Sequence, residues 1–232
     1  MSDNLATFEK KIGVPFQNRD LLKQAFVHRS YLNEHRELTI GHNERLEFLG
    51  DAVLELAVTN FLYKKYPQKP EGDLTSYRAA LVNAVTLSSL AADLGMNDYL
   101  LLSKGEAKDK GRARQIILAN VFEAVVGAIY LDAGYEGAND FIEKTVLAED
   151  EKIVTAGLAQ DSKSFFQRKA QEVHSVTPNY KILSETGPDH NKKFIVGLFV
   201  GEEKVAEGEG HSKQEAEQDA AKNGLDFKGW EI

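Results

Sequence analysis

Four acids recur through an otherwise apolar stretch, NERLEFLGDAVLEL, between Asn43 and Leu56: Glu44, Glu47, Asp51 and Glu55. On a helix they fall within an arc of about 80° at about 100° per residue. Leu46, Leu49, Val53, Leu54, Leu56 and Ala57 take the opposite half, and Gly50 on that side leaves room for another helix. An amphipathic helix with a solvated acidic face gives the same pattern. A second segment, IILANVFEAVVGAIYL, shifts the balance. Apart from Tyr130 its only polar residues are Asn120 and Glu123, about one helical turn apart and therefore on one face. A charged Glu in so apolar a helix is unfavourable unless it is paired, with an arginine for instance, or metal-bound. Two helices that bring carboxylates to one place account for both anomalies. Carboxylates that close repel and take up protons unless a divalent cation compensates them. All-oxygen ligands favour Mg²⁺ or Mn²⁺, and neither Cys nor paired His points to zinc. Such a site suits activation of water against a phosphate ester. A third acidic patch, EGDLTSYRAALVN, sets Glu71 and Asp73 at a predicted helix start, where acids also act as favourable caps.

The elements that must position these residues are legible in outline. Apolar positions recur at helical spacing in the opening stretch, in LLKQAFVHRSYL, in LTSYRAALVNAVTLSSLAADLG and in RQIILANVFEAVVGAIYLDAG, with Gly95 and Gly134 where helix stops are expected. Residues 1–150 are thus expected to form an all-α domain, and 151–160 (EKIVTAGLAQ) a linker. Residues 161–232 change pattern. DSKSFFQRKAQEV reads as a helix, 179–186, KKFIVGLFV and KVAEGEG as three strands, and SKQEAEQDAAKNGL as a closing helix, an α-β-β-β-α unit. The chain has 232 residues, no Cys and a formal charge of −8, so neither a disulfide nor a broad basic footprint is available. The 16-position apolar run from Ile116 to Leu131 is shorter than the roughly 20 residues of a membrane span, and the N-terminus lacks the apolar core of a signal peptide. A cytoplasmic protein with no membrane partner is the expectation.

NERLEFLGDAVLEL resembles the signature of the ribonuclease III family. AFVHRSYLNE, EGDLTSYRAALVN, LLSKGEAKDKGRARQIILANVFEAVVGAIYLDAGY, GPDHNKKF and GEGHSKQEAEQDAA fit the same family in order. The resemblance implies a multidomain chain: an all-α ribonuclease III endonuclease domain, then an α+β double-stranded-RNA-binding domain. It implies Mg²⁺-dependent hydrolysis of double-stranded RNA to 5′-phosphate and 3′-hydroxyl ends, in rRNA, mRNA and tRNA processing, by a homodimer. Carried over by motif, Glu47, Asp51, Glu123 and the residue at 120 are metal ligands, Asp51 and Glu123 are catalytic, and Glu44 and Glu71 lie nearer the scissile strand or a second metal. Phe48 and Leu49 either fill the monomer core or serve the partner subunit.

The family usually has Asp where this chain has Asn120. The amide oxygen still ligates, but it brings no charge, and its NH₂ group is able to donate to a neighbouring carboxylate instead. A natural variant with higher metal demand is the preferred expectation; the alternative is a catalytically impaired protein that holds double-stranded RNA without cutting it. In the second domain the resemblance assigns RNA contacts to Gln167, to Pro188, Asp189 and His190, and to Lys213 at a helix N-terminus. KQEAE carries one Lys where the fold often has two, so few phosphates are neutralised and a shallow salt dependence is expected.

Overall fold

A computed structural model of the chain describes residues 2–148, 150–153, 162–188 and 192–230. The chain divides into two compact units, Met1–Ile153 and Val154–Ile232.

The first unit is helical: α1 Ser2–Ile12, α2 Arg19–Ala25, α3 Arg29–Glu34, α4 Glu44–Lys65, α5 Glu71–Val82, α6 Ala84–Asp93 and α7 Arg112–Thr145. Its centre is α7, where Val121, Phe122, Ala124, Val125, Val126, Ala128 and Ile129 are fully buried. By length and composition α7 is apolar enough to cross a membrane, contrary to the estimate from the 16-position run, but most of its apolar window is buried inside the unit. Two of the stretches with helical spacing are each divided. LLKQAFVHRSYL breaks where Val27 forms a parallel bridge with Leu101 and His28 caps α3, its Nδ1 accepting from the Ser30 N–H. The 74–95 stretch breaks at Asn83, extended at ψ 159°, whose side chain accepts from the Thr86 N–H and donates to the carbonyls of Ala79 and Ala80. Gly134, expected to end α7, interrupts it at φ 74° and ψ −173°, after which the helix resumes.

Both ends of α4 are fixed by polar contacts. At its start, the buried Asn43 donates its backbone N–H to Val27 O (2.9 Å) and its side chain to Ala25 O (3.2 Å). At its end, Lys65 donates to Asp150 (2.7 Å) and Glu151 (3.1 Å). Along the helix the wheel holds with two exceptions: Leu46, Val53, Leu54 and Ala57 are buried, whereas Leu56 is 58% exposed, and Val58, which falls among the acids at about 100° per residue, is fully buried.

In the second unit α8 (Ser162–His174) and α9 (Lys213–Lys228) flank an antiparallel sheet, β1 Asn179–Thr186, β2 Lys193–Val200 and β3 Glu203–Gly210, in the order β1-β2-β3. Phe166, Leu198, Ala220 and Leu225 build its core with Phe165 and Val205. α9 lies against β3 at Gly208, where an added Cβ would come within 2.0 Å of the Ala220 nitrogen. That contact explains the glycines of GEG. Ser212 caps α9 by accepting from the Glu215 N–H, and the Glu215 carboxylate accepts from the His211 N–H.

Candidate active site

The acids meet because two glycines let α4 and α7 touch backbone to backbone. A Cβ on Gly50 would fall 1.8 Å from the Glu123 carbonyl oxygen, and one on Gly127 2.2 Å from that of Leu46. Any side chain at either position would push the helices apart. Held this closely, Glu47 and Asp51 of α4 share their surroundings with Asn120 and Glu123 of α7. The Glu123 carboxyl is pushed up to about 7, first by burial and then by the charges of Asp51 and Glu47. The Glu47 carboxyl is raised by burial and by Glu44, against the opposing hydrogen bond from the Asn120 side chain, with a smaller rise from Asp51. Asp51 is raised by burial and then by Glu55.

The ends of the acidic stripe are balanced and its middle is not. Glu44 lies 3.7 Å from both Arg29 and His42, and Glu55 lies 3.9 Å from Arg78. Among the described residues no Lys or Arg pairs with Glu47, Asp51 or Glu123. Nor do any three His, Cys, Asp or Glu side chains among them converge into a ready-made cation cage. The fourth position is an amide rather than an acid. The donor set fits a hard divalent cation: oxygen atoms only, three of the side chains anionic, with no internal counter-charge.

Glu71 stands apart from this group. It lies in the first turn of α5, accepts a hydrogen bond from Thr75 (3.1 Å), and is not among the charges that act on Glu47, Asp51 or Glu123. Two positioning residues had no assigned duty in the sequence. Asn43 anchors the start of α4, and His28 caps α3 while lying in the field of Glu106 and Glu44. The signal for His28 was available, since an acceptor directly before a helical run is a cap pattern.

In the second unit Gln167 is exposed on α8 and lines an open groove with Ser164, Arg168, Gln171 and Glu172. Pro188 is exposed just after β1; Asp189 and His190 lie outside the described residues. Lys213 opens α9, exposed, with its Nζ 6.0 Å from the Phe194 ring centroid. Among the described residues at least six of the ten Lys and Arg residues from 161 onward (163, 169, 192, 193, 204 and 228) form ion pairs with nearby glutamates.

A helical domain that joins carboxylates from two central helices, followed by an α-β-β-β-α unit, defines a metal-dependent nuclease coupled to an RNA-binding module. Comparison with known proteins gives the same class. The profile of the "Ribonuclease-III-like" family matches residues 18–150, and that of the "Double-stranded RNA binding motif" matches 162–227. Proteins named Ribonuclease 3 from Streptococcus agalactiae and Oceanobacillus iheyensis are each 44% identical over 225 residues. The first match covers 97% of this chain and 98% of the relative, the second 96% and 97%. Among solved structures, the nuclease domain of the Campylobacter jejuni enzyme is 36% identical, with a TM-score of 0.57 over 63% of this chain and 95% of that one. A second structure of that domain, described as showing flexibility in a region involved in dimer formation, is 39% identical with a TM-score of 0.53, over 60% and 95%. The chain belongs to the ribonuclease III family. It is a divalent-metal-dependent endoribonuclease of double-stranded RNA, and a chain that only binds RNA is not the favoured reading.

Proposed function

We propose that Glu47, Asp51, Asn120 and Glu123 form the cation site of this endoribonuclease, that Mg²⁺ is the working ion, and that Mn²⁺ substitutes for it. The observation that carries this reading is the uncompensated middle of the acidic stripe: three carboxylates from α4 and α7 gathered with no cationic side chain beside them among the described residues. A bound divalent cation supplies charge for the developing oxyanion and lowers the pKa of a bound water. The protein's part is positional. The Gly50–Gly127 contact fixes the spacing of the two helices, and Asp51, the most open of the three acids, faces the approach of water and phosphate. Glu44, already beside Arg29 and His42, borders the scissile strand, where Arg29 receives the RNA backbone. Glu71 reaches a centre only across an assembly of two chains.

That assembly is a homodimer. Phe48 is 81% exposed and Tyr63 73% exposed on α4. The same helix with α5 frames a cavity of about 420 Å³ floored by Leu62 and Leu74 and bordered by Tyr63, Thr75 and Glu71. A projecting Phe and an apolar hole on one surface are the self-complementary parts a two-fold interface needs. Residues 1–150 act as the endonuclease domain, 151–160 as the linker, and 161–232 as the RNA-binding domain. In the last, Gln167 and the 188–190 loop contact successive minor grooves and Lys213 meets phosphate. The setting is cytoplasmic processing of rRNA, mRNA and tRNA precursors, giving 5′-phosphate and 3′-hydroxyl ends.

The deciding experiment measures cleavage of long duplex RNA over Mg²⁺ and Mn²⁺ series, for the chain as it stands and for Asn120→Asp. Cleavage by the unchanged chain that disappears with a chelator supports the reading. Absence of cleavage at every metal concentration, with activity only in Asn120→Asp, would overturn it.

A further inference from the structure

The nuclease unit holds a cavity of about 240 Å³ that none of the acids lines, between α1, the end of α2 and the short helical turn Met96–Tyr99. Its walls are apolar and aromatic: Leu5, Phe26, Tyr99, Leu100 and Leu101. The Phe26 and Tyr99 rings lie 5.5 Å apart, and the buried Phe8 packs against both. Backbone bonds hold these walls in place. The Leu101 N–H donates to Phe26 O (2.9 Å), and the His28 N–H donates to Leu101 O (3.0 Å). Two charges of opposite sign line the same cavity, Lys23 from the last turn of α2 and the exposed Asp98. Neither side chain has a hydrogen bond or an ion pair among the described residues. A lysine in the last turn of a helix is favourable on its own account. It is the combination with Asp98 at one apolar cavity that points to a ligand.

Apolar walls take an apolar group, an open ammonium takes an anion and an open carboxylate takes a cation. A small molecule that carries all three is a free α-amino acid with a large apolar side chain. Size agrees, since an apolar cavity of about 150 Å³ holds a benzene ring. A space of about 240 Å³ therefore takes a phenyl group with its short stem, and is too small for a nucleotide. Two aromatic rings in the wall favour an aromatic guest over an aliphatic one. We propose that this cavity binds a free aromatic α-amino acid, its ring against Phe26 and Tyr99, its carboxylate on Lys23 and its ammonium on Asp98. The site is separate from the acids of α4 and α7, so it adds a ligand to the enzyme without entering the cleavage step.

The test titrates L-phenylalanine into the full chain with isotope-labelled leucine methyls, observed by nuclear magnetic resonance. Hydrocinnamate, which lacks the ammonium, and phenethylamine, which lacks the carboxylate, are titrated in parallel. Phenylalanine is expected to shift the methyls of Leu5, Leu100 and Leu101 saturably, with a Kd of about 1 mM or tighter. Each comparison compound should bind about tenfold more weakly, having lost one charge-assisted contact. Lys23→Gln should reduce phenylalanine to the affinity of phenethylamine, and Asp98→Asn to that of hydrocinnamate. Both variants should cleave duplex RNA at the unchanged rate. Leu5→Trp, which fills the cavity, should abolish the shifts at Leu100 and Leu101. The proposal is overturned if phenylalanine at about 10 mM, well above the Kd such a ligand reaches, shifts none of these methyls. Equal affinity for the three compounds overturns it as well, because the apolar walls alone then account for binding. So does undiminished phenylalanine binding in Lys23→Gln, in Asp98→Asn or in Leu5→Trp.

Discussion

The two units handle charge in opposite ways. In the nuclease unit Glu47, Asp51 and Glu123 act on one another across the α4–α7 contact with no Lys or Arg among the described residues paired to them. In the RNA-binding unit at least six of ten basic residues are matched to glutamates among the described residues. Charge left unbalanced in a partly buried place requires an external partner, and there a small cation is the one that fits. Charge balanced on an exposed surface contributes little electrostatic pull of its own. The first unit therefore depends on an ion for its chemistry, and for the second the expectation is a reading of duplex shape more than of phosphate charge.

The comparison breaks most sharply at Glu123. Glu123→Gln keeps the shape and removes the charge. Cleavage of duplex RNA at saturating Mg²⁺ should fall about 10³-fold, near 4 kcal/mol of barrier, while the chain still folds. Retained cleavage would show that the unbalanced acids are not a working site. Next in size is the helix contact that gathers them. Gly50→Val places a side chain where the Glu123 carbonyl lies 1.8 Å from a first added carbon. A loss of about 3 kcal/mol in urea unfolding is expected. Activity should drop further than stability alone explains, because the α4 and α7 acids no longer meet.

Much of this was legible in the residues. The acidic spacing on α4 and the two polar residues of α7 told which side chains share a face, and the α-β-β-β-α order emerged from composition and periodicity. What periodicity could not supply was long-range. Helical spacing ran through 74–95 and LLKQAFVHRSYL without a break; a long-range bridge from Val27 to Leu101 divides the second, whereas the first is divided by the local bonds of Asn83, which apolar spacing does not register. It placed Leu56 on the buried side because a wheel shows direction but not how far the neighbouring helix extends. The closeness of Asn120 to Glu47 depends on Gly50 meeting Glu123, a pairing of residues 73 positions apart that no local pattern encodes.

On the RNA-binding side the comparison sharpens with salt. The dependence of duplex affinity on salt should correspond to fewer than about six released counterions. Lys213→Ala, which removes an exposed Lys in no ion pair among the described residues, should lower that slope by about one. Lys204→Ala, already paired with Glu207 at 2.6 Å, should leave it almost unchanged. A slope equally sensitive to both would mean that the ion pairs open on binding and that the balanced surface is an electrostatic one after all.

The smallest effect expected is a pH dependence at His28, where burial rather than a partner decides the charge. Its imidazole pKa is lowered from 6.5, chiefly by burial, with Glu106 and Glu44 opposing that trend and Arg114 and Arg29 reinforcing it. Only the neutral ring keeps Nδ1 free to accept from Ser30 and cap α3. Because the folded pKa lies below the unfolded one, folding favours the neutral form. The contribution is therefore complete above about pH 6.5 and is lost as the pH falls through the lowered folded value. His28→Asn retains a capping acceptor that does not titrate. Between about pH 7 and 5 the unchanged chain should lose more stability than His28→Asn, by no more than the roughly 1 kcal/mol a cap contributes. Denaturant midpoints of the two chains across that interval check the sign directly. A larger loss in His28→Asn would mean that the acids Glu106 and Glu44, and not burial, govern this histidine.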